Sequence, residues 1–317
     1  MHAVTIVDGV LQWLEHPDPV PGTGELLVEV RAAGLNGADM LQRIGLYPAP
    51  VGSPATIPGL ELAGQIIETG PGVSRFAVGD RVMTVTGGGG QAELAVVPER
   101  LAIAVPSALE WPEAGGAPEV FSTAHDALFT QCGLTLGERV LVHGAAGGVG
   151  IAGVQLAARA GAEVVATVRN ADLRNRVAAI GDACGVAEVC APDEHGARGP
   201  FDVVLELVGG PNLAGDVEHL ATCGRIAIIG VGGGARAELD LLALMSRRGR
   251  VHGSTLRARS LEDKAAVARG FERSVLPLLE RGDVRVPIET TVPMSEAQTA
   301  YDRFSAGAKL GKIVLVA

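Results

Sequence analysis

Residues 140–150, Val-Leu-Val-His-Gly-Ala-Ala-Gly-Gly-Val-Gly, read as a buried apolar strand that turns through small residues into a helix. In the G-x-G-x-x-G fingerprint, small residues let the backbone bend and approach a pyrophosphate, which then rests on the positive N-terminus of the following helix. The three positions are Ala145, Gly147 and Gly150 here. Glycines also cluster in ordinary tight turns, so the motif gains its meaning from context. A strand precedes it, the apolar stretch 151–160 follows as a helix, and residues 164–168 read as a second strand, closing one βαβ unit. Ala145, Gly147, Gly148, Val149 and Gly150 are the candidate cradle for a dinucleotide. Gly230, at the end of a later strand spanning 226–230, joins them as a candidate cofactor residue.

The end of the second strand bears on which nicotinamide cofactor is favoured. An NAD-preferring site places Asp or Glu about 20 residues after the glycines, where it accepts hydrogen bonds from the adenosine ribose. This chain has Arg169 there, followed by Arg174 and Arg176. A carboxylate would repel a 2′-phosphate, whereas a guanidinium pairs with it through charge-assisted bonds. Arg174 and Arg176 either add to that clamp or are solvated surface charges. The expected cofactor is NADPH.

Three textures of sequence must position these residues. Residues 1–115 alternate short β-type runs (26–30, 64–68, 81–86, 93–97) with Pro- and Gly-rich turns, a mostly β domain. Residues 116–252 alternate buried strands with helices, adding strands at 203–207, 226–230 and 250–254, which predicts a doubly wound parallel α/β sheet of the Rossmann kind. Residues 253–317 carry a helical segment near 264–280 and a helix opened by a capping-box pattern, Ser295 with Gln298 three residues on. The final strand, 312–316, has no sheet of its own in that stretch and is expected to return to the N-terminal domain.

Composition narrows the class. A chain of 317 residues accommodates two domains, and a net charge of −10 argues against nucleic-acid or anionic-membrane partners. Asp8 and Glu15 interrupt the apolar N-terminus, so neither a signal peptide nor a membrane span is expected. Cys132, Cys184, Cys190 and Cys223 form no C-x-x-C pair, which favours free thiols and a cytoplasmic location. No Ser-His-Asp arrangement or G-x-S-x-G elbow can be made out.

Segments 34–43 (Gly-Leu-Asn-Gly-Ala-Asp-Met-Leu-Gln-Arg), 45–48 (Gly-Leu-Tyr-Pro), 58–64 (Pro-Gly-Leu-Glu-Leu-Ala-Gly), 78–82 (Val-Gly-Asp-Arg-Val), 145–150, 253–257 (Gly-Ser-Thr-Leu-Arg) and 311–314 (Gly-Lys-Ile-Val) occur in a fixed order along nearly the whole chain. Together they resemble the zinc-independent quinone oxidoreductase branch of the medium-chain dehydrogenase/reductase superfamily, close to its p53-inducible quinone oxidoreductase-like group. The resemblance implies a GroES-like catalytic domain in two pieces around a Rossmann domain, NADPH as hydride donor, a small quinone or enone substrate, and a homodimer.

Zinc alcohol dehydrogenases of that superfamily ligate a catalytic zinc with a Cys at the position of Asn36 and a His at the position of Leu60. Asn is a poor zinc ligand and Leu is none. The four-Cys structural lobe also has no counterpart, so no metal is expected. Glu61 remains, in a structural or a catalytic role. Hydrogen-bond donors must then stabilise charge on the reduced oxygen, which suffices for an electron-poor quinone or enone. The resemblance implies Asn36 and Tyr47 for this task. Asn36 would donate to substrate or to the nicotinamide ribose, or else caps a turn; Tyr47 would donate a hydrogen bond or proton, stack on a flat ring, or pack beside Pro48. Thr123 is placed near the nicotinamide end. His143 reads as a hydrogen-bonded structural residue, and His125 is not expected to be catalytic.

Two features depart from the family pattern. Residues 190–200 are short, implying a trimmed helix after the third strand. Gln91 and Leu94 stand where relatives often carry Tyr, implying a wider substrate site. The reading is an NADPH-dependent, metal-free reductase of quinones or α,β-unsaturated carbonyls. An enoyl-thioester reductase and a non-catalytic NADPH-binding protein are the alternatives.

Overall fold

The computed structural model describes residues 1–184 and 187–317. It divides into two compact units, one of Met1–Ser122, Leu256–Gly307 and Lys312–Ala317, the other of Thr123–Thr255 and Ala308–Gly311.

The first unit opens with the antiparallel hairpin β1 (His2–Val7) and β2 (Val10–Glu15). It continues through β3 (Glu25–Gly34), β4 (Glu61–Thr69), β5 (Arg81–Val85), β6 (Leu94–Pro98) and β7 (Ile103–Ala104). The second unit supplies β8 (Arg139–Val142), β9 (Glu163–Thr167), β10 (Ala187–Cys190), β11 (Phe201–Glu206), β12 (Leu220–Ile228) and β13 (Arg250–Gly253). The chain then returns to the first unit with β14 (Ile288–Pro293) and β15 (Lys312–Val316).

In the first unit the sheet runs β14-β15-β3-β4-β5-β7, with β6 also paired to β3. β15 lies antiparallel to β3, Val314 opposite Gly34, so the last strand does return to the N-terminal sheet. Its core gathers Leu26, Val28, Leu62, Ile66, Tyr301 and Ile313. Fully buried Tyr301 donates its hydroxyl to Gln91 Oε1 at 2.9 Å, which satisfies the one polar atom of that ring. Gln91 is therefore a buried partner of Tyr301. The expected capping box at Ser295 does not form. Ser295 lies in a 3-10 turn, the helix starts at Ala297, and Gln298 bonds Asp302 Oδ1 and the Leu11 N–H. The helical stretch near 264–280 is two helices, Leu261–Ser274 and Leu276–Glu280. Pro277 has no N–H with which to continue the first.

In the second unit all pairings are parallel, in the order β10-β9-β8-β11-β12-β13. Val140, Leu141, Val142, Val203, Val204 and Leu205 are all fully buried, as strands covered on both faces require. The connection after β10 is a 3-10 segment, Pro192–Arg198. Cys132 and Cys190 are buried free thiols and Cys223 an exposed one; the side chain of Cys184 lies outside the described part. Among the described residues no helix is long and apolar enough to cross a membrane.

Candidate functional site

In the cofactor-type unit, β8 ends at the turn that holds the fingerprint. The Gly148–Arg159 helix begins there with Gly147 at its N-cap and presents N–H groups that have no acceptor within the helix. A side chain at Gly150 would place its Cβ 2.6 Å from Gly144 O and Ala145 Cα, so only glycine lets the helix sit this close to the strand end. The Ala145 N–H donates to Thr167 O at 3.1 Å, which ties the turn to the end of β9. Immediately beyond, Arg169 is exposed, and Arg174 braces the same chain end through Nε to Val168 O at 3.0 Å. Ala145, Gly147, Gly148, Val149, Gly150, Arg169 and Arg174 are thus gathered around the ends of two adjacent strands.

β8 and β11 are sheet neighbours where the strand order reverses, the place at which open α/β sheets bind ligands beyond their strand ends. Gly230 follows β12 and backs onto the Leu207 carbonyl so closely that a Cβ would lie 2.4 Å from the oxygen. Thr123 is buried in the Pro118–His125 helix. His143, fully buried, is held by Thr167 Oγ1 at 2.9 Å and Asp216 Oδ1 at 2.7 Å. Glu206, which the sequence did not single out, receives the N–H groups of Val208 and Gly209 and the Asn212 amide, and so organises the loop after β11. Burial pushes its carboxyl above the ordinary value, opposed by nearby His143.

In the catalytic-type unit, β3, β4 and β15 bring together Asn36, Glu61 and Lys312. The Lys312 ammonium lies 2.6 Å from Glu61 Oε1, 2.8 Å from Asn36 Oδ1 and 2.7 Å from Leu35 O. Asn36 Nδ2 donates to Glu61 Oε1 at 2.9 Å and to Gly34 O at 3.3 Å, while Glu61 Oε2 accepts from the Glu119 N–H. Both Nδ2 hydrogens of Asn36 are therefore engaged, so it donates to a ligand only by giving up one of these bonds, while Oδ1 keeps a second lone pair. Asp39 caps the Gly37–Arg43 helix by accepting from the N–H groups of Asn36 and Gly59. Its complete burial raises its pKa from 3.8 to about 6.

Half-buried Tyr47 lies against Arg257, whose guanidinium carbon is 5.2 Å from the ring centroid. Arg257 is 4 % exposed and donates to Gly87 O, Tyr47 O and Gln42 Oε1. With Lys264 it lines a pocket completed by Val85, Thr86, Glu119, Leu256 and Val267, and burial lowers the pKa of both cations. In the sequence Arg257 is marked only as part of the 253–257 segment; its partners lie too far along the chain for a local pattern to reveal them.

Residues 22–107 match the family of alcohol dehydrogenase GroES-like domains, and residues 184–315 match a family described as zinc-binding dehydrogenases. Rat quinone oxidoreductase is 30% identical over 306 residues, covering 94% of this chain and 91% of its own length. This chain belongs to the medium-chain dehydrogenase/reductase superfamily. The spectinabilin polyketide synthase protein NorB of Streptomyces orinoci is 36% identical over 299 residues, covering 92% of this chain but only 13% of NorB. The chain likewise spans 8% of the erythronolide synthase EryA2 of Saccharopolyspora erythraea, at 35% identity. Among solved structures, mycobacterial Rv1454c complexed with NADPH superposes with a TM-score of 0.85 at 26% identity, covering both chains completely. The superfamily binds a nicotinamide cofactor, and the turn at 144–150 has the small residues and helix N-terminus such a group needs. A catalytic zinc does not fit the donor set. Leu60 is buried and offers no donor atom in its side chain, and the Glu61 carboxylate already has Lys312 as its cation.

Proposed function

We propose that the protein is an NADPH-dependent oxidoreductase that reduces quinones or α,β-unsaturated carbonyls without a catalytic metal. The observation that carries this reading is the Lys312 ammonium seated against Glu61 and Asn36, of which Asn36 stands where the resemblance puts a cysteine zinc ligand in metal-dependent members of the superfamily. Bound nicotinamide would supply the hydride. The turn at Ala145, Gly147, Gly148, Val149 and Gly150 would hold its pyrophosphate, with Gly230 and Thr123 along its length. Arg169, with Arg174 behind it, would pair with the 2′-phosphate. Tyr47 would donate a hydrogen bond to the oxygen that gains charge, its ring steadied by Arg257. Lys312 would fix the orientation of Asn36, so that Asn36 acts as a positioned neighbour of the cofactor ribose or substrate.

NADPH consumption measured against a panel of small quinones, enones and enoyl thioesters tests the reaction. Turnover with quinones or enones supports the reading. Turnover restricted to enoyl thioesters would favour the second reading, to which the similarity to NorB and EryA2 lends weight. Tight NADPH binding with no acceptor turned over would make the protein a binding protein only. We further propose a cytoplasmic homodimer. β13 is an edge strand, and the Leu241–Arg247 helix exposes Leu241, Leu242 and Met245, an apolar set suited to a second copy. Sedimentation of the purified protein as a monomer at micromolar concentration would rule the dimer out.

A further inference from the structure

His143, His195 and Asp216 come from three separate elements of the cofactor-type unit and converge behind the dinucleotide turn. His143 follows β8, His195 lies on the 3-10 segment Pro192–Arg198, and Asp216 lies on the Gly210–Glu218 helix. One ligand-type atom from each, an imidazole nitrogen or a carboxylate oxygen, lies within 4.8 Å of the other two. His143 and Asp216 are fully buried and His195 is 9% exposed.

The hydrogen bonds around the cluster point to a cation. His195 Nδ1 is 2.6 Å from Pro192 O, and a carbonyl oxygen only accepts, so Nδ1 carries the proton and Nε2 of the neutral ring is a lone pair. Neither His195 Nε2 nor Asp216 Oδ2 has a hydrogen-bond partner within the protein. His143 Nε2 bonds Asp216 Oδ1 at 2.7 Å, a contact in which a metal ion would take the place of the shared proton, while the buried His195 Nε2 and Asp216 Oδ2 are costly to leave unpartnered. Both imidazoles also engage an oxygen through Nδ1, His195 with Pro192 O and His143 with Thr167 Oγ1 at 2.9 Å, and so turn Nε2 toward the cluster. Metal-ligating histidines are oriented in just this manner by their outer partners.

We propose that His143, His195 and Asp216 bind one divalent transition-metal ion of the zinc class as a structural centre of the cofactor-type unit. Two imidazoles and a carboxylate suit such an ion better than Mg2+ or Ca2+, which take oxygen ligands. Glu206, whose Oε2 is 3.9 Å from His143 Nε2, is the nearest further carboxylate. Burial keeps substrate from the centre, so it has no part in hydride transfer and stands independently of the reaction proposed above. Its effect is to lock the ends of β8 and β9 to the Gly210–Glu218 helix directly behind the turn.

The test is Co2+ and Zn2+ binding to the full-length protein after treatment with a chelator. One equivalent of Co2+ should bind with visible d–d absorption and no thiolate charge-transfer band. Zn2+ should raise Tm by a few degrees when in large excess over its Kd. His195→Gln and Asp216→Asn should each weaken Co2+ binding by about 100-fold or more while NADPH still binds. Zinc-edge X-ray absorption on the wild type, which needs no variant, should give a nitrogen and oxygen shell with imidazole scattering. Absence of stoichiometric Co2+ uptake, a sulfur ligand in the zinc shell, or equal affinity in a folded His195→Gln protein would overturn the proposal.

Discussion

The Lys312 ammonium lies 2.6 Å from Glu61 Oε1, with the two side chains 3% and 0% exposed. A buried pair of this kind is most costly when only one member is removed, because the other is left charged and uncompensated. Lys312→Met should destabilise the protein by about 3 to 5 kcal/mol in urea unfolding. The double variant Lys312→Met, Glu61→Gln should recover part of that loss. A double variant no more stable than Lys312→Met would mean that the pair is not the source of the effect.

Tyr47→Phe keeps the ring against Arg257 and removes only the hydroxyl. If that hydroxyl bonds the reduced oxygen, kcat should fall by about tenfold to a thousandfold while the Kd for NADPH changes little. Unchanged kcat across several acceptors would leave Tyr47 as a packing residue.

Arg169 is exposed at the end of the β9 segment, with no carboxylate taking its place, so the wild type should prefer NADPH over NADH by at least about tenfold in kcat/KM. Arg169→Asp should erode or reverse the preference, because a carboxylate repels the 2′-phosphate and accepts from free ribose hydroxyls. Arg174 is tied to Val168 O and Arg169 O, so replacing it should loosen the strand end as well as weaken phosphate binding. A wild type that prefers NADH would remove the cofactor assignment and leave the fold untouched.

Asp39 titrates near 6 in the folded protein against an ordinary value of 3.8, with desolvation as the main cause. The folded state therefore holds this proton more tightly than the unfolded chain. Its stabilising contribution is full below about 3.8 and is lost as the pH rises through about 6, a change of about 3 kcal/mol. Asp39→Asn should remove this decline, so the stability difference between wild type and variant should vary between pH 4 and 7 and be constant above. Parallel stability profiles for the two proteins would show that Asp39 does not titrate in this window.

The strand, turn and helix over 139–159 were legible because their signal is local: an apolar run, three small residues and a second apolar run within one short stretch. The apolar runs of β8 and β11 likewise announced a sheet covered on both faces. What stayed hidden depends on partners distant in sequence. Lys312 has no local partner that would mark it, since Asn36 and Glu61 are brought to it by the pairing of β15 with β3. His195 and Asp216 carry no ligand spacing with His143, and only the sheet and its flanking segments unite them. The capping box at Ser295 failed for a related reason, because Gln298 finds a better use bonding the Leu11 N–H and Asp302.

The strand β15 also sets an order of events during synthesis. Glu61 is separated from Lys312 by 251 positions, and the whole of the second unit's parallel sheet is translated in between. The cofactor-type sheet can close while the ribosome is still working, since its six strands lie within one continuous stretch. The catalytic-type sheet cannot, for β3 is missing its β15 neighbour until residues 312–316 have been synthesised. Until then Glu61 has no ammonium beside it, and Ala32, Ala33 and Gly34 of β3 lack the strand that pairs with them.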